Sequence, residues 1–416
     1  MLHATLVLAV MVAILAVGAV FLKKIPVPVL LIIASIAGAL VGGFGFPLRH
    51  FVEGSQLFLM LMLTVATGML FMSVLKANGA LDALTRLIVQ TFYRSPTLLL
   101  IFLMVLIMLP AMLSGSAPAS VLSTGVLVAP ILIRLKIPKV ETASIVAMGS
   151  LYGMIAPPIN VPAMLIGTGV YMPYEGFAIP LLILTVPLAI FSVLFLGRRF
   201  IDKIDKDEVL AGVPEAPENQ GKWIVHLPLL FVIGYMLLKS YFPQIDTGTP
   251  LVFFMGTILA LFTGRKVAFF KVSKQSMTGA IEIMALFAAV GTLIQIMALT
   301  GARGLMVIAT LSMTGALLYL AIAIASPVIG GLLMPFGAAG VLGIPLVMAF
   351  SNQDAIWVTS ALTLLLGVGA LLPPTAVSGL FAAQAVGVEK YSDITKKCAI
   401  PAILTLIVGV AVLVYV

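Results

Sequence analysis

The sequence predicts an all-α polytopic membrane protein made of two inverted-topology repeats. Each repeat has five transmembrane helices plus one re-entrant hairpin, with broken helices at the membrane midplane. Three observations lead there. Apolar runs recur along all 416 residues; two stretches of the chain repeat each other in order; and a proline pair interrupts a hydrophobic run once in each half, at Pro157-Pro158 and Pro373-Pro374.

The membrane assignment comes first. The chain is 62% hydrophobic and 9% charged, with a mean hydropathy of +1.23, which no water-exposed surface accommodates. Spans are expected at roughly 4–22, 26–45, 56–77, 141–171, 177–197, 223–241, 249–264, 278–299, 355–387 and 398–416. The apolar start runs to Lys23-Lys24 without a cleavage signature, so it reads as the first span and not as a signal peptide. The single cysteine, Cys398, excludes an intramolecular disulfide and a cysteine metal site.

The net charge of +8 is a matter of topology. With the first loop cytoplasmic, all of the 23 Lys and Arg except Arg49, Lys239 and Arg303 fall inside. That asymmetry places both termini outside, in the inner membrane of a bacterium or archaeon. The expected surroundings are membrane lipid, with no nucleic-acid partner.

The repeat is visible in "LKANGALDALTRL" (75–87) and "MALTGARGLMVIA" (297–309), which turn at Gly79 and Gly301. A polar linker at 198–222 separates a first repeat, 1–197, from a second, 223–416. Five spans per half is an odd number, so the second copy enters from the opposite side, the usual construction of a secondary transporter. The helix expected at about 80–94 gathers Leu81, Leu84, Leu87, Ile88 and Phe92 on one side, the spacing of a helix lying in the interface plane.

Two apolar stretches are interrupted. "LPAMLSGSAPAS" divides 97–134 into arms of roughly 15 residues, short for spans, so a hairpin with its tip at Ser114-Gly115-Ser116 is expected. Its counterpart, 310–350, should turn near Pro335–Gly340. The broken helices are 141–171 and 355–387. An unpaired backbone group in hydrocarbon costs several kcal/mol, so a break persists only where it lines an enclosed or watery cavity. Prolines remove amide donors and free carbonyls that suit a cation, while half-helix N-termini suit an anion. The expected substrate ligands are therefore Ser114, Ser116, Asn160, Thr375 and Ser378. Sodium is expected at Ser114, Gly115 and Ser116 with carbonyls of Gly153, Ile155 and Ala156. A second sodium is expected among Pro335, Gly337, Gly369, Leu372 and Thr375.

The SGS hairpin, "APPIN" break and later "PP" break resemble the large membrane subunit of TRAP transporters. More broadly they are similar to the ion-transporter superfamily that includes the sodium–dicarboxylate symporters. "KKIPVPVLLIIASIAGAL" and "GMLFMSVLKANGAL" extend the likeness over nearly the whole chain. Where that family's second break continues to an asparagine, this chain has "PPTAVSGL", leaving Thr375 and Ser378 as the polar groups. The resemblance implies an elevator transporter that moves a small organic anion, a carboxylate of C4-dicarboxylate type, with sodium as coupling ion. It also implies two partners, a small four-helix membrane subunit and a periplasmic substrate-binding protein.

The alternative keeps the fold and changes the cargo: a self-sufficient carrier working as a homodimer, or a proton-coupled antiporter or exporter of another anion. Proton coupling would draw on Glu141, Glu282 or Asp354. An enzyme is not expected, because the three histidines (His3, His50 and His226) lie far apart along the chain and no nucleotide-binding loop is present.

Overall fold

The structure, a computed structural model, describes residues 2–21, 25–201, 209–212 and 223–416. The Lys23-Lys24 pair and most of the 198–222 linker lie outside the described residues. Among those described, regular structure is helical throughout. In hydrocarbon only the helix satisfies every backbone group within its own segment. Among the described residues, seven helical segments are long and apolar enough to cross a membrane.

The first half contains α1 (Leu2–Phe21), α2 (Val27–Val41), α3 (Leu48–Gln56), α4 (Leu59–Ala77) and the short amphipathic α5 (Ala80–Phe92). Hairpin 1 follows as α6 (Pro96–Ser114), α7 (Ala117–Ser120), a π-helical turn at Val121–Gly125 and α8 (Val126–Arg134). The first break separates α9 (Lys139–Ile155) from α10 (Val161–Gly169), and α11 (Ala178–Gly197) closes the half. The second half runs through α12 (Leu227–Tyr241), α13 (Thr249–Leu261), α14 (Phe269–Leu299) and α15 (Ala302–Ser312). Hairpin 2 is α16 (Ala316–Ala338), a π turn at Ala339–Gly343 and α17 (Ile344–Ala349). The second break lies between α18 (Ala355–Val368) and α19 (Val377–Val386), and α20 (Tyr391–Tyr415) ends the chain.

The two halves repeat one set of local devices. Gly79 and Gly301, 222 positions apart, are left-handed N-caps that start α5 and α15. The π turns begin 218 positions apart, at 121 and 339. The proline pairs, 216 positions apart from 157 to 373, each hold a cis peptide bond.

Three expectations change. The hairpin 1 arms are longer than foreseen: α6 has 19 residues and continues through Pro110, and the return arm passes through Pro130. A proline inside a helix is tolerated where packing re-satisfies the freed carbonyl. Hairpin 2 turns earlier, at Met334 (φ 62°, ψ 156°), so Pro335–Gly340 belong to the start of its second arm, and residues 310–312 end α15. Helix α3 was not anticipated. It packs on α14, where Gly54 and Gly291 meet with no room for a Cβ on either.

Two packing groups result. Helices α2, α3 and α4 pack on α14, and α13 packs on α4, with α1 on α2 and α12 on α13. The hairpins, both broken helices, α11 and α20 form the other group, centred on α9, whose residues 141–155 are all buried. Lipid is as apolar as leucine, so close packing rather than water exclusion holds such groups together. The groups meet mainly where α4 faces hairpin 1 and α14 faces hairpin 2.

Candidate functional site

Each broken helix rests on the hairpin of its own half. Pro157 and Pro158 lack amide donors, and the next N–H, that of Ile159, donates to the Met112 carbonyl of hairpin 1 at 3.1 Å. Gly115 turns the hairpin tip in the left-handed region (φ 69°), and a Cβ there would overlap Val161. Glycine alone provides both the turn and the approach. Gly153 sits on the Met108 backbone in the same way. In the second half, the Thr375 N–H and hydroxyl both donate to the Gly331 carbonyl, at 3.1 and 2.8 Å. Gly369 packs directly on Gly330, and Leu372 on Gly331. The pairs Ile159 and Thr375, and Gly153 and Gly369, are each 216 positions apart, so the two halves repeat the contact as well as the sequence.

The second half-helices cross over. Helix α19 packs on α9 and on the return arm of hairpin 1, while α10 packs on the return arm of hairpin 2 and on α18. Asn160 ties this crossing together. Its Oδ1 caps α10 by accepting from the Ala163 N–H (2.9 Å). Its Nδ2 donates to the Ile155 carbonyl (2.7 Å) and to Thr363 Oγ1 on α18 (3.1 Å). A third element joins where the Tyr174 hydroxyl accepts from the Asn160 N–H (3.1 Å). On α9, the buried Tyr152 hydroxyl bridges Ser192 of α11 (3.1 Å) and Thr405 of α20 (2.9 Å).

The sequence-predicted residues divide by what they do here. Ser114 donates to the Pro110 carbonyl at 2.6 Å, and Ser116 Oγ accepts from the Ala119 N–H at 3.3 Å as the cap of α7. Both are buried, as is Asn160. Hairpin 1 sets Gly115 against Ile159 and Val161, just past the first break, while Gly153 packs before the tip, on Met108 and Ala111. Pro335 and Gly337 stand on the return arm of hairpin 2, whereas Gly369, Leu372 and Thr375 contact Gly330 and Gly331 before the tip. Ser378 is fully buried at the start of α19, and its hydroxyl has no partner within the described residues. Gly330, Gly331, Thr363 and Tyr174 escaped the sequence reading. The "GG" at 330–331 was the one available signal.

Residues 97–133, 142–174, 316–353 and 355–388 contain no Asp, Glu, Lys or Arg. A cation held between hairpin and break would therefore take hydroxyl and carbonyl oxygens, the neutral donors a hard monovalent ion accepts. The three carboxylates considered for proton transfer lie away from this region. Glu141 is buried at the start of α9, paired with Lys397 (2.7 Å) and Arg199 (3.6 Å). Asp354 caps α18 by accepting from the Ile356 and Trp357 N–H groups, and Glu282 is exposed on α14. Outside the spans, burial raises the Asp82 carboxyl above its ordinary value, against the pull of Arg265 at 3.0 Å.

Paired hairpins on paired broken helices, in a chain this apolar, define a multi-pass membrane transporter. A family model agrees: that of the tripartite ATP-independent periplasmic transporters, DctM component, matches residues 7–416. The chain belongs to this family, the large membrane component of TRAP transporters. Among solved structures, it is similar to Neisseria gonorrhoeae MtrF, described as illuminating a class of antimetabolite efflux pumps. The identity is 15%, covering 95% of this chain and 94% of that one, with a TM-score of 0.60. A likeness at that identity speaks for the fold. Comparison with curated protein sequences gives no match.

Proposed function

We propose that this chain is the permease subunit of a secondary transporter that carries a small organic anion, a carboxylate, by sodium symport and an elevator movement. Its partners in this reading are a small four-helix membrane subunit and a periplasmic binding protein. The observation that supports the proposal is the duplicated contact of break on hairpin, Ile159 on Met112 and Thr375 on Gly331, in segments without a single charged side chain. Sodium suits the first such place by chemistry, with the hydroxyls of Ser114 and Ser116 and the carbonyls of Gly153, Ile155 and Ala156 as its proposed ligands. At the second, the carbonyl-rich backbone of Gly369–Leu372 lies with Thr375 beside Gly330 and Gly331. Bound sodium would supply the positive charge that an anion needs in a region without arginine or lysine.

In this reading the repeats span 1–197 and 223–416 in opposite orientations around a cytoplasmic linker. Hairpins, broken helices, α11 and α20 move as one body past the group formed by α1–α4 and α12–α14. Ser378 meets the substrate with a hydroxyl that has no partner among the described residues. Ser114, Ser116 and Thr375 exchange internal hydrogen bonds for ligand, and Asn160 positions the break.

The test is transport in proteoliposomes, with the genomic neighbours as candidate partner subunits and C4-dicarboxylates as first substrates. Uptake that needs sodium and rises with the sodium gradient is expected. Full-rate transport with sodium replaced by choline, following a pH gradient, would overturn sodium coupling and favour a proton-linked carrier. Transport by this chain alone would remove the tripartite assembly.

A further inference from the structure

Helix α4 meets hairpin 1 at two points. At Gly68 the contact is backbone to backbone: a Cβ would overlap the Leu113 carbonyl oxygen and lie 3.3 Å from Ser114 Cα. Eight positions later, about 12 Å along the helix, Lys76 Nζ donates to the Leu122 carbonyl at 2.6 Å. Leu122 lies in the π turn of the hairpin's return arm, a distortion that recurs at functional positions in helices. One contact fixes the tip and the other fixes the return arm, so together they set how far hairpin 1 stands along α4.

The second half lacks this arrangement. The 222-residue offset of Gly79 and Gly301 maps Gly68 to Val290 and Lys76 to Ala298, both on α14. There the glycine is on the other partner, since Gly340 in the π turn of hairpin 2 receives the Val290 side chain. The cation is replaced by a methyl group. Contact between α14 and hairpin 2 is thus apolar, with no directional bond at the equivalent place, whereas hairpin 1 is held in register by an ammonium on a carbonyl.

We propose that Gly68 and Lys76 form a docking register that holds hairpin 1 against α4 at one end of its travel, with Lys76 a positioning residue released as the hairpin moves. Hairpin 2 slides without a counterpart, so of the two main contacts between the groups the one at hairpin 1 carries the stop. The inference rests on the elevator reading given above. A carbonyl ligand suits this task. An ammonium–carbonyl bond near the surface is modest, with part of its value lost to water, so it biases one position without trapping it.

Spin labels test this directly. Cysteines at Met60 on α4 and Leu98 on α6, both exposed, report the distance between the groups in the full chain in lipid nanodiscs, with sodium chloride as the only probe. Two distances are expected in the wild type, one of them that of this structure. Lys76→Met should lower the population at that distance relative to the other by about three- to tenfold, Lys76→Arg should restore it, and Gly68→Ala should remove it in protein that remains monodisperse. Two distances whose ratio ignores both Lys76 variants would overturn the register and leave the elevator reading standing. A single distance unchanged in every variant and at every sodium concentration would overturn both.

Discussion

At the scale of single residues, the distinction that matters is between polar groups already engaged and those left open. Asn160 has used its cap and both amide hydrogens. Asn160→Ala should therefore destabilise the protein by about 1–3 kcal/mol, the cost of orphaning buried partners, read as a lower melting temperature in detergent. The Ser378 hydroxyl has no partner among the described residues. Ser378→Ala should leave stability within about 0.5 kcal/mol and weaken substrate affinity about 5- to 150-fold; an unchanged affinity would exclude it from the site. Glu141 has two cations, Lys397 and Arg199. Either cation replaced by glutamine should be mild, because the other still neutralises the buried carboxylate. The double variant should lose far more than the sum, since it leaves that charge unpaired.

Asp82 gives the pH dependence. Burial raises its pKa in the folded state above the unfolded value, so the folded protein holds this proton more tightly. Its contribution favours folding at low pH and is lost as pH rises through the folded pKa. Compared with Asp82→Asn, the wild type should be relatively more stable at an acidic pH, near the ordinary carboxylate range, than at a neutral one. Melting curves of the two proteins at both pH values check the sign.

Among the elements, the hairpins show how much of the fold could be read in advance. The Ser-Gly-Ser tip was legible because Gly115 is both the residue that permits φ 69° and the one small enough to meet Val161. Hairpin 2 hid its turn because the left-handed position is occupied by Met334, which carries no such signal. A methionine at φ 62°, ψ 156° stores backbone strain that glycine would not. Met334→Gly should thus be tolerated or stabilising by up to about 1 kcal/mol, while Gly115→Met should abolish both assembly and transport. Thermal melting and uptake of the two variants make the comparison. The return arms were underestimated because a π turn and internal prolines look like interruptions in sequence, yet packing carries the helix through them. Helix α3 was missed for a related reason: nine residues with Arg49, His50 and Glu53 read as a loop, and only Gly54 against Gly291 explains their order.

For the whole molecule, the proline pairs and the turn glycines were enough to pair the two halves, since their order and nearly equal spacing survive even where the side chains differ. Spacing does not reveal the crossing, because no sequence pattern says that α10 leans on hairpin 2 and α19 on hairpin 1. The orientation of the chain is open to a simple measurement. Cys398 is the only cysteine and is fully buried, so the native protein is already a quiet background for thiol labelling. Cysteines at the exposed Gln244 and Glu389 should react only from outside and only from the cytoplasm, respectively. Reaction of both from one side would end the inverted-repeat reading.

The crossing also bears on how the protein can be taken apart. Each half keeps its hairpin and break together but surrenders its last half-helix to the other half, like two hands with fingers interlaced. A lone half would present that half-helix without its main packing partners, whereas the two halves made as separate chains would meet along the same surfaces that join them now. Severing the chain between Ile201 and Trp223 should therefore yield a noncovalent pair that copurifies and transports when both pieces are made together, and two insoluble pieces when they are made alone. By the same logic, an ancestor carrying a single unit could have completed its fold only by exchanging half-helices with a second copy. Fusion into one chain would then have preserved an exchange between partners as a crossing within a single molecule.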